Sequence, residues 1–240
     1  MNTPIKTSLI RILCSLLVLV LFTLAIMCID LKETYVTENG VADEGTEKVE
    51  IGLASVNIPM AKLIGYSAVW YRVSDICGYI SLAIAASFAI VGIYQWIRRR
   101  NIFKVDTEVL ALGIFFVIVI LIYFFFTKVS INVRPVIVDP EEWPEPSFPS
   151  SHTLLAICVV MGSLRVLPGL FGEKKLACRI VSITGLVMMA VAIISRFLSG
   201  IHWFTDIIAS FIFSALLMSL FPLLEALAAF IVRLFLKEEE

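Results

Sequence analysis

Long uninterrupted runs of apolar side chains constrain the fold of this 240-residue chain more than any other feature. A helix of about 20 apolar residues matches the thickness of the hydrocarbon core of a bilayer. Six runs of suitable length are present, near residues 9–29, 76–97, 107–127, 153–171, 177–195 and 204–222. The sequence therefore predicts an all-α integral membrane bundle of six transmembrane helices, folded as a single domain over residues 1–240.

The composition agrees with this class of fold and argues against others. Hydrophobic residues make up 60% of the chain and charged residues 16%, whereas soluble domains contain about 45–50% apolar residues. The net charge of −1 gives no basic surplus that would favour a nucleic-acid partner. The five cysteines show no CxxC spacing, and we expect no metal and no cofactor. The expected partners are membrane lipids, and the expected location is a bacterial cytoplasmic membrane.

The distribution of basic residues predicts the orientation of the bundle, because Lys and Arg near helix ends are retained on the cytoplasmic side. With the N-terminus inside, twelve of the 19 Lys and Arg residues fall on cytoplasmic segments. The predicted topology is N-in and C-in, with two long outer loops at residues 30–75 and 128–152. The first half of the first loop is acidic, and we expect it to be a solvated loop.

The two histidines of the chain, His152 and His202, each lie at the predicted outer end of a span. Histidine titrates near neutral pH and can act as a nucleophile, base or acid. His202 and Asp206 share one helix face if the sixth helix begins near Ile201. The carboxylate could then accept one ring N–H and leave the other ring nitrogen free to attack. Arg196 adds a planar fork of donors suited to phosphate or carboxylate oxygens.

The segment at 148–153 opens the fourth predicted span. A helix N-terminus binds anions through free backbone N–H groups and the positive end of its dipole. The Ser150 hydroxyl would add a donor, and His152 could transfer a proton; the alternative is a serine N-cap beside an interfacial histidine. Lys128 and Arg134 follow the third span. Cations, histidines and a helix N-terminus on one membrane face form the inventory that phosphoryl transfer needs.

These segments resemble the signature of the type 2 phosphatidic acid phosphatase superfamily, which has three parts: Lys-x6-Arg-Pro, Pro-Ser-Gly-His and Ser-Arg-x5-His-x3-Asp. The third part matches at every fixed position, from Ser195 to Asp206. The second reads Pro149-Ser150-Ser151-His152, with serine where the family usually has glycine. The first reads Lys128-x5-Arg134-Pro135 and is one intervening residue short.

The resemblance implies a metal-independent phosphatase in which His202 attacks phosphorus and forms a phosphohistidine. Asp206 would orient His202, and His152 would protonate the leaving alcohol. The residues implied to bind phosphate are Lys128, Arg134, Ser150, Ser151 through its backbone N–H, and Arg196. The implied substrate is a lipid phosphate or pyrophosphate bound at the outer face of the membrane. Undecaprenyl pyrophosphate is the first candidate, followed by phosphatidic acid and phosphatidylglycerol phosphate.

Three other functions stay open on the sequence alone. A lipid phosphotransferase would use the same histidine but pass the phosphoryl group to an acceptor lipid or sugar. An intramembrane serine protease would use Ser150 or Ser151 as its nucleophile. A transporter or scaffold without catalysis is the third, since two of the three motif segments depart from the family pattern.

Overall fold

The computed structural model describes residues 3–45 and 47–237, so the extreme ends of the predicted domain lie outside the described residues. Seven α-helices and three strands make up this part of the chain. The helices are α1 (Thr3–Cys28), α2 (Ala54–Ile64), α3 (Ala68–Arg99), α4 (Thr107–Phe126), α5 (Ser151–Phe171), α6 (Lys175–Leu198) and α7 (Phe204–Lys237). The strands are β1 (Lys32–Thr37), β2 (Gly40–Ala42) and β3 (Glu47–Ile51).

Every helix except α2 is long and apolar enough to cross a membrane. This confirms the predicted membrane bundle with six spanning helices. Two helices extend well beyond the apolar runs: α3 begins at Ala68, and α7 continues through Pro222 to Lys237. Helices extend in this way because the hydrocarbon core limits only the apolar stretch, whereas aromatic and charged residues continue the helix at the interface.

The expected solvated loop after α1 is instead a small antiparallel sheet with the strand order β2-β1-β3. Val36 of β1 is completely buried, while Glu33 and Glu50 pair across the sheet on exposed positions. The physical reason is that Thr34 and Val36 alternate with more polar neighbours in β1, and Val49 and Ile51 alternate with charged residues in β3, which suits strands with one buried face. The prediction of a loop was wrong because it relied on the acidic composition of the segment and not on this alternation.

Helix α5 occupies the middle of the bundle and packs against α3, α4, α6 and α7. Its buried residues interlock with Phe115 of α4 and Phe221 of α7, whose rings meet edge to face with centroids 5.3 Å apart. Between membrane helices, close van der Waals packing replaces the hydrophobic effect as the source of stability. This packing places the N-terminal end of α5, with Ser151 and His152, among the ends of the neighbouring helices.

The segment between the sheet and α3 supports the turn that joins α6 to α7. Asn57 of α2 is fully buried; its Oδ1 accepts the backbone N–H of Thr205 at 3.2 Å, and its Nδ2 donates to the Thr205 hydroxyl at 3.0 Å. The Ser67 N–H donates to the Ser199 carbonyl at 3.1 Å. Gly200, at a φ of +72°, lies so close to the Gly65 carbonyl that an added Cβ would overlap it. Contacts with residues 57–67 therefore fix both ends of this turn.

We expect Asn57→Ala to lower the thermal stability of the protein. The substitution leaves a buried helix-start N–H and a hydroxyl without partners, which costs about 1–3 kcal/mol. The melting temperature of the purified protein in detergent checks the expectation, with the exposed turn residue Asn39→Ala as the matched control. Equal melting temperatures for the two variants would show that the Asn57 amide does not hold α7 in place.

Candidate active site

Residues from all three motif segments meet at one end of the bundle. The N-terminal ends of α3, α5 and α7 lie here with the C-terminal ends of α4 and α6. The structure brings together His152, Arg196, His202, Asp206 and Arg134, together with the serines at the start of α5. Residues far apart in the sequence thus form one site.

His202 lies in the turn before α7 and not on the helix, because α7 begins at Phe204 rather than near Ile201. Its Nδ1 is 2.9 Å from the backbone carbonyl of Ser147, and 3.8 Å from Oδ2 of Asp206. A carbonyl only accepts, so Nδ1 carries the hydrogen and Nε2 keeps a free lone pair. Nε2 is buried and has no hydrogen-bond partner among the described residues. The expectation that Asp206 accepts the ring N–H is therefore wrong in this structure, where the Ser147 carbonyl does so.

Asp206 is fully buried and is held by two donors. Its Oδ2 accepts the backbone N–H of Trp203 at 3.0 Å, and its Oδ1 accepts Nδ2 of Asn132 at 3.1 Å. A carboxylate in the first turn that bonds back to the preceding N–H stabilises a helix start, as in a capping box. Asp206 thus fixes the turn that carries His202 and keeps its carboxyl group near the ring.

The surroundings of His202 favour its neutral form. Burial lowers the pKa of His202 well below its usual value, and the positive charges of Arg196 and Arg134 lower this pKa further. The imidazole is therefore neutral at pH 7. A neutral ring with a free Nε2 lone pair has the protonation state that a nucleophile needs.

His152, the second residue of α5, contacts an acidic residue that the sequence analysis missed. Its Nε2 is 3.3 Å from Oδ1 of Asp75 on α3, and its Nδ1 is buried without a partner among the residues described. Gly78, one turn after Asp75, makes room for the ring, since an added Cβ would lie 2.6 Å from Cδ2 of His152. The sequence did contain a signal for Asp75, because ionisable residues next to an apolar run are rare and often functional.

Arg196 is buried at the end of α6 with its charge facing the same cluster. Its Nη1 is 3.1 Å from the Ser74 hydroxyl and 3.3 Å from Oδ1 of Asp75, and its guanidinium lies over the Tyr71 ring, 5.6 Å from the centroid. Its Nε has no hydrogen-bond partner in the part of the chain that the structure describes. This unpartnered donor is available to an anion that enters the site.

Arg134 projects from the loop after α4 and is also mostly buried. Its Nη1 pairs with Oε2 of Glu145 at 2.5 Å, and its Nε has no partner within residues 3–45 and 47–237. Burial raises the pKa of Glu145, while the Arg134 charge opposes this rise. Both arginines therefore combine one carboxylate partner with one free donor.

The remaining predicted phosphate-binding residues take different positions. Ser150 precedes α5, is fully buried, and donates its hydroxyl to Oγ1 of Thr153 at 3.0 Å. Ser151 is half-buried and has a negative φ, so serine fits where the family usually has glycine. Lys128 is exposed just after α4, and its ammonium group contacts no other candidate residue within the described chain. The structure thus brings the two serines into the cluster but not the Lys128 side chain.

A cavity of about 430 Å³ opens beside His152, between α3, α4 and α5. Its polar end is lined by Asp75, Ser151, His152, Tyr71 and Tyr123, and its apolar end includes Leu82, Ile120, Phe124 and Leu155. A site with this division accommodates a molecule with a charged head and an apolar tail.

The fold and the site define an integral membrane protein that gathers two histidines and two arginines at one end of a helical bundle. Residues 134–228 match the family model of the PAP2 superfamily. This match confirms the resemblance to the type 2 phosphatidic acid phosphatases over that part of the chain. The six long apolar helices make the chain a multi-pass membrane protein.

Two further comparisons accompany this assignment. No similar protein is found among curated sequences. Among solved structures, the chain is similar to the crystal structure of the first transmembrane PAP2 type phosphatidylglycerolphosphate phosphatase from Bacillus subtilis. The two chains are 20% identical with a TM-score of 0.40, and the match covers 77% of this chain and 94% of the other.

Proposed function

We propose that this protein is a metal-independent membrane phosphatase that hydrolyses a lipid phosphate or pyrophosphate through a phosphohistidine on His202. The observation that carries the proposal is the state of the His202 ring. Its Nδ1 is anchored to the Ser147 carbonyl, and its buried Nε2 has no partner. Arg196 and Arg134, which act on this ring electrostatically, each keep a free Nε donor.

The proposed first step transfers the phosphoryl group to the enzyme. The Nε2 lone pair of His202 forms a bond to phosphorus while the bond from phosphorus to the lipid oxygen breaks. Protonated His152 gives its proton to the leaving oxygen, and its unpartnered Nδ1 is the ring atom free to do so. Arg196 and Arg134 bind the non-bridging oxygens and supply the charge neutralisation that metal ions supply in other phosphoryl-transfer enzymes.

The proposed second step returns the enzyme to its starting state. Water attacks phosphorus, the bond from phosphorus to Nε2 breaks, and neutral His152 accepts the proton that the water loses. Inorganic phosphate leaves, His202 is neutral again, and His152 is protonated for the next cycle. The carboxylate of Asp206 lies 3.8 Å from Nδ1 of His202 and stabilises the positive charge that the phosphohistidine carries.

The proposed substrate is an amphiphile whose head group reaches His152 while its tail lies along the apolar end of the cavity. Undecaprenyl pyrophosphate, phosphatidic acid and phosphatidylglycerol phosphate all have this character. The distribution of Lys and Arg supports an N-in and C-in topology. In that orientation the site lies at the outer face of a bacterial cytoplasmic membrane.

Release of inorganic phosphate by the purified protein in mixed micelles tests the proposed function. The three lipids are assayed separately with EDTA, with His202→Ala as the control. We expect release that survives EDTA and is lost in the variant. Formation of a phosphate ester on an added acceptor alcohol, without release of inorganic phosphate, would indicate a phosphotransferase. Neither phosphate release nor transfer to the acceptor would overturn the proposed activity.

A further inference from the structure

Asp75 connects the two candidate groups that would handle the proton and the phosphate charge. Its Oδ1 lies 3.3 Å from Nε2 of His152 and 3.3 Å from Nη1 of Arg196. The Asp75 side chain is 31% exposed and lines the polar end of the cavity, whereas the Arg196 side chain is only 2% exposed. The Asp75 carboxylate therefore contacts both His152, the proposed acid, and the Arg196 cation, and it also borders the cavity proposed to bind the substrate.

The Arg196 charge needs a partner when no substrate is bound. A buried guanidinium without a counter-ion is strongly destabilising, and neutral donors or aromatic rings compensate it only in part. Ser74 and the Tyr71 ring contact Arg196, but Asp75 is the only carboxylate paired with it in the described residues. The other nearby arginine, Arg134, is paired with Glu145.

The His152 ring depends on the same oxygen. Within the described chain, Asp75 contacts Nε2 and no residue bonds to Nδ1. The absence of a side chain at Gly78 allows the ring to reach the carboxylate. An acceptor on one ring nitrogen fixes the orientation of an imidazole and directs its other nitrogen to the reacting group. Asp75 is thus placed to orient His152 through Nε2.

We propose that Asp75 is a positioning residue that orients His152 for proton transfer and holds Arg196 until a phosphate oxygen replaces the carboxylate at Nη1. This inference rests on the proposed phosphatase function. It predicts two effects of opposite direction in Asp75→Asn, which keeps the size of the side chain but removes its charge. Catalysis falls because His152 loses its charged acceptor, and anions bind more tightly because Arg196 loses its internal competitor.

The experiment measures kcat on the best lipid substrate and the inhibition constant of inorganic phosphate for the wild type and Asp75→Asn. We expect kcat to fall by about tenfold or more and the inhibition constant to fall by about threefold or more. Asp43→Asn is the matched control, since Asp43 is 92% exposed and pairs only with Lys62 on the surface. This control makes the same change of charge and should leave both constants unchanged.

Asp75→Glu separates positioning from a general loss of folding, and melting temperatures are recorded for every variant. The longer carboxylate should recover part of kcat and should restore the weak phosphate inhibition of the wild type. Weaker phosphate inhibition in Asp75→Asn, or an unchanged kcat, would overturn the inference. If wild-type protein releases no phosphate from any lipid, the proposed function fails; if it is active and Asp75→Asn behaves like Asp43→Asn, only the role of Asp75 fails.

Discussion

Replacing His202 with alanine is expected to lower phosphate release from the lipid substrate by at least about 10³-fold. The variant removes Nε2, the atom that would bond to phosphorus. Alanine has no side-chain atom that can take over this role. The buried ring is bound to the loop through the Ser147 carbonyl, so folding must be checked separately. The measurement is steady-state phosphate release, combined with the melting temperature of the variant.

Lys128→Ala provides the comparison for this prediction. The Lys128 side chain is exposed and contacts no other candidate residue of the described chain, so its removal should cost about tenfold at most. Trapping of radioactive phosphate on the protein from a labelled substrate would add direct evidence, with label on the wild type and none on His202→Ala. Near-normal turnover by the His202 variant would refute the covalent mechanism.

Replacing Arg196 with lysine is expected to reduce kcat/KM by about 10²–10³-fold. Lysine keeps the positive charge but loses the planar fork, in which Nη1 binds Ser74 and Asp75 while Nε stays free. A single ammonium cannot keep these contacts and also bind a phosphate oxygen in the same geometry. The loss should be largest in kcat, because charge builds up on the non-bridging oxygens in the transition state.

Arg165→Lys is the matched control for the Arg196 substitution. Arg165 pairs with Glu225 at 3.0 Å between α5 and α7, and its side chain is 42% exposed. The same chemical change at this pair should alter kcat/KM by less than about threefold. Equal losses in the two variants would mean that the Arg196 fork has no special role in binding phosphate.

The six spanning helices could be predicted because apolar length is a strong local signal that packing does not override. Arg196, His202 and Asp206 could be selected because their spacing matches a known signature. The detailed geometry of His202 could not be obtained in this way. Its ring is anchored by the backbone carbonyl of Ser147 in another loop. Because every residue type carries such a carbonyl, the sequence gives no sign of which one bonds to the ring.

The supporting residues show the same limit from another direction. Asn57 and Asn132 are ordinary polar residues in the sequence, and only the fold shows that each contacts the first turn of α7. Asp75 differs from these two residues because an acidic residue beside an apolar run is unusual and is itself a signal in the sequence. No motif includes it. The sheet at 32–51 was not predicted because the segment is rich in charged residues and its alternation of apolar and polar residues is short.

The contacts of residues 57–67 with the turn around His202 have a consequence for engineering. The backbone of Ser67 bonds to the turn at Ser199, and the Asn57 side chain bonds to it at Thr205. The proposed nucleophile, His202, therefore lies in a turn that is supported by a part of the chain without a motif. The match to the family model begins only at Arg134. A shortened protein designed around the three motif segments alone would keep the proposed catalytic residues. It would lose residues 57–67, which hold the turn around His202 in place.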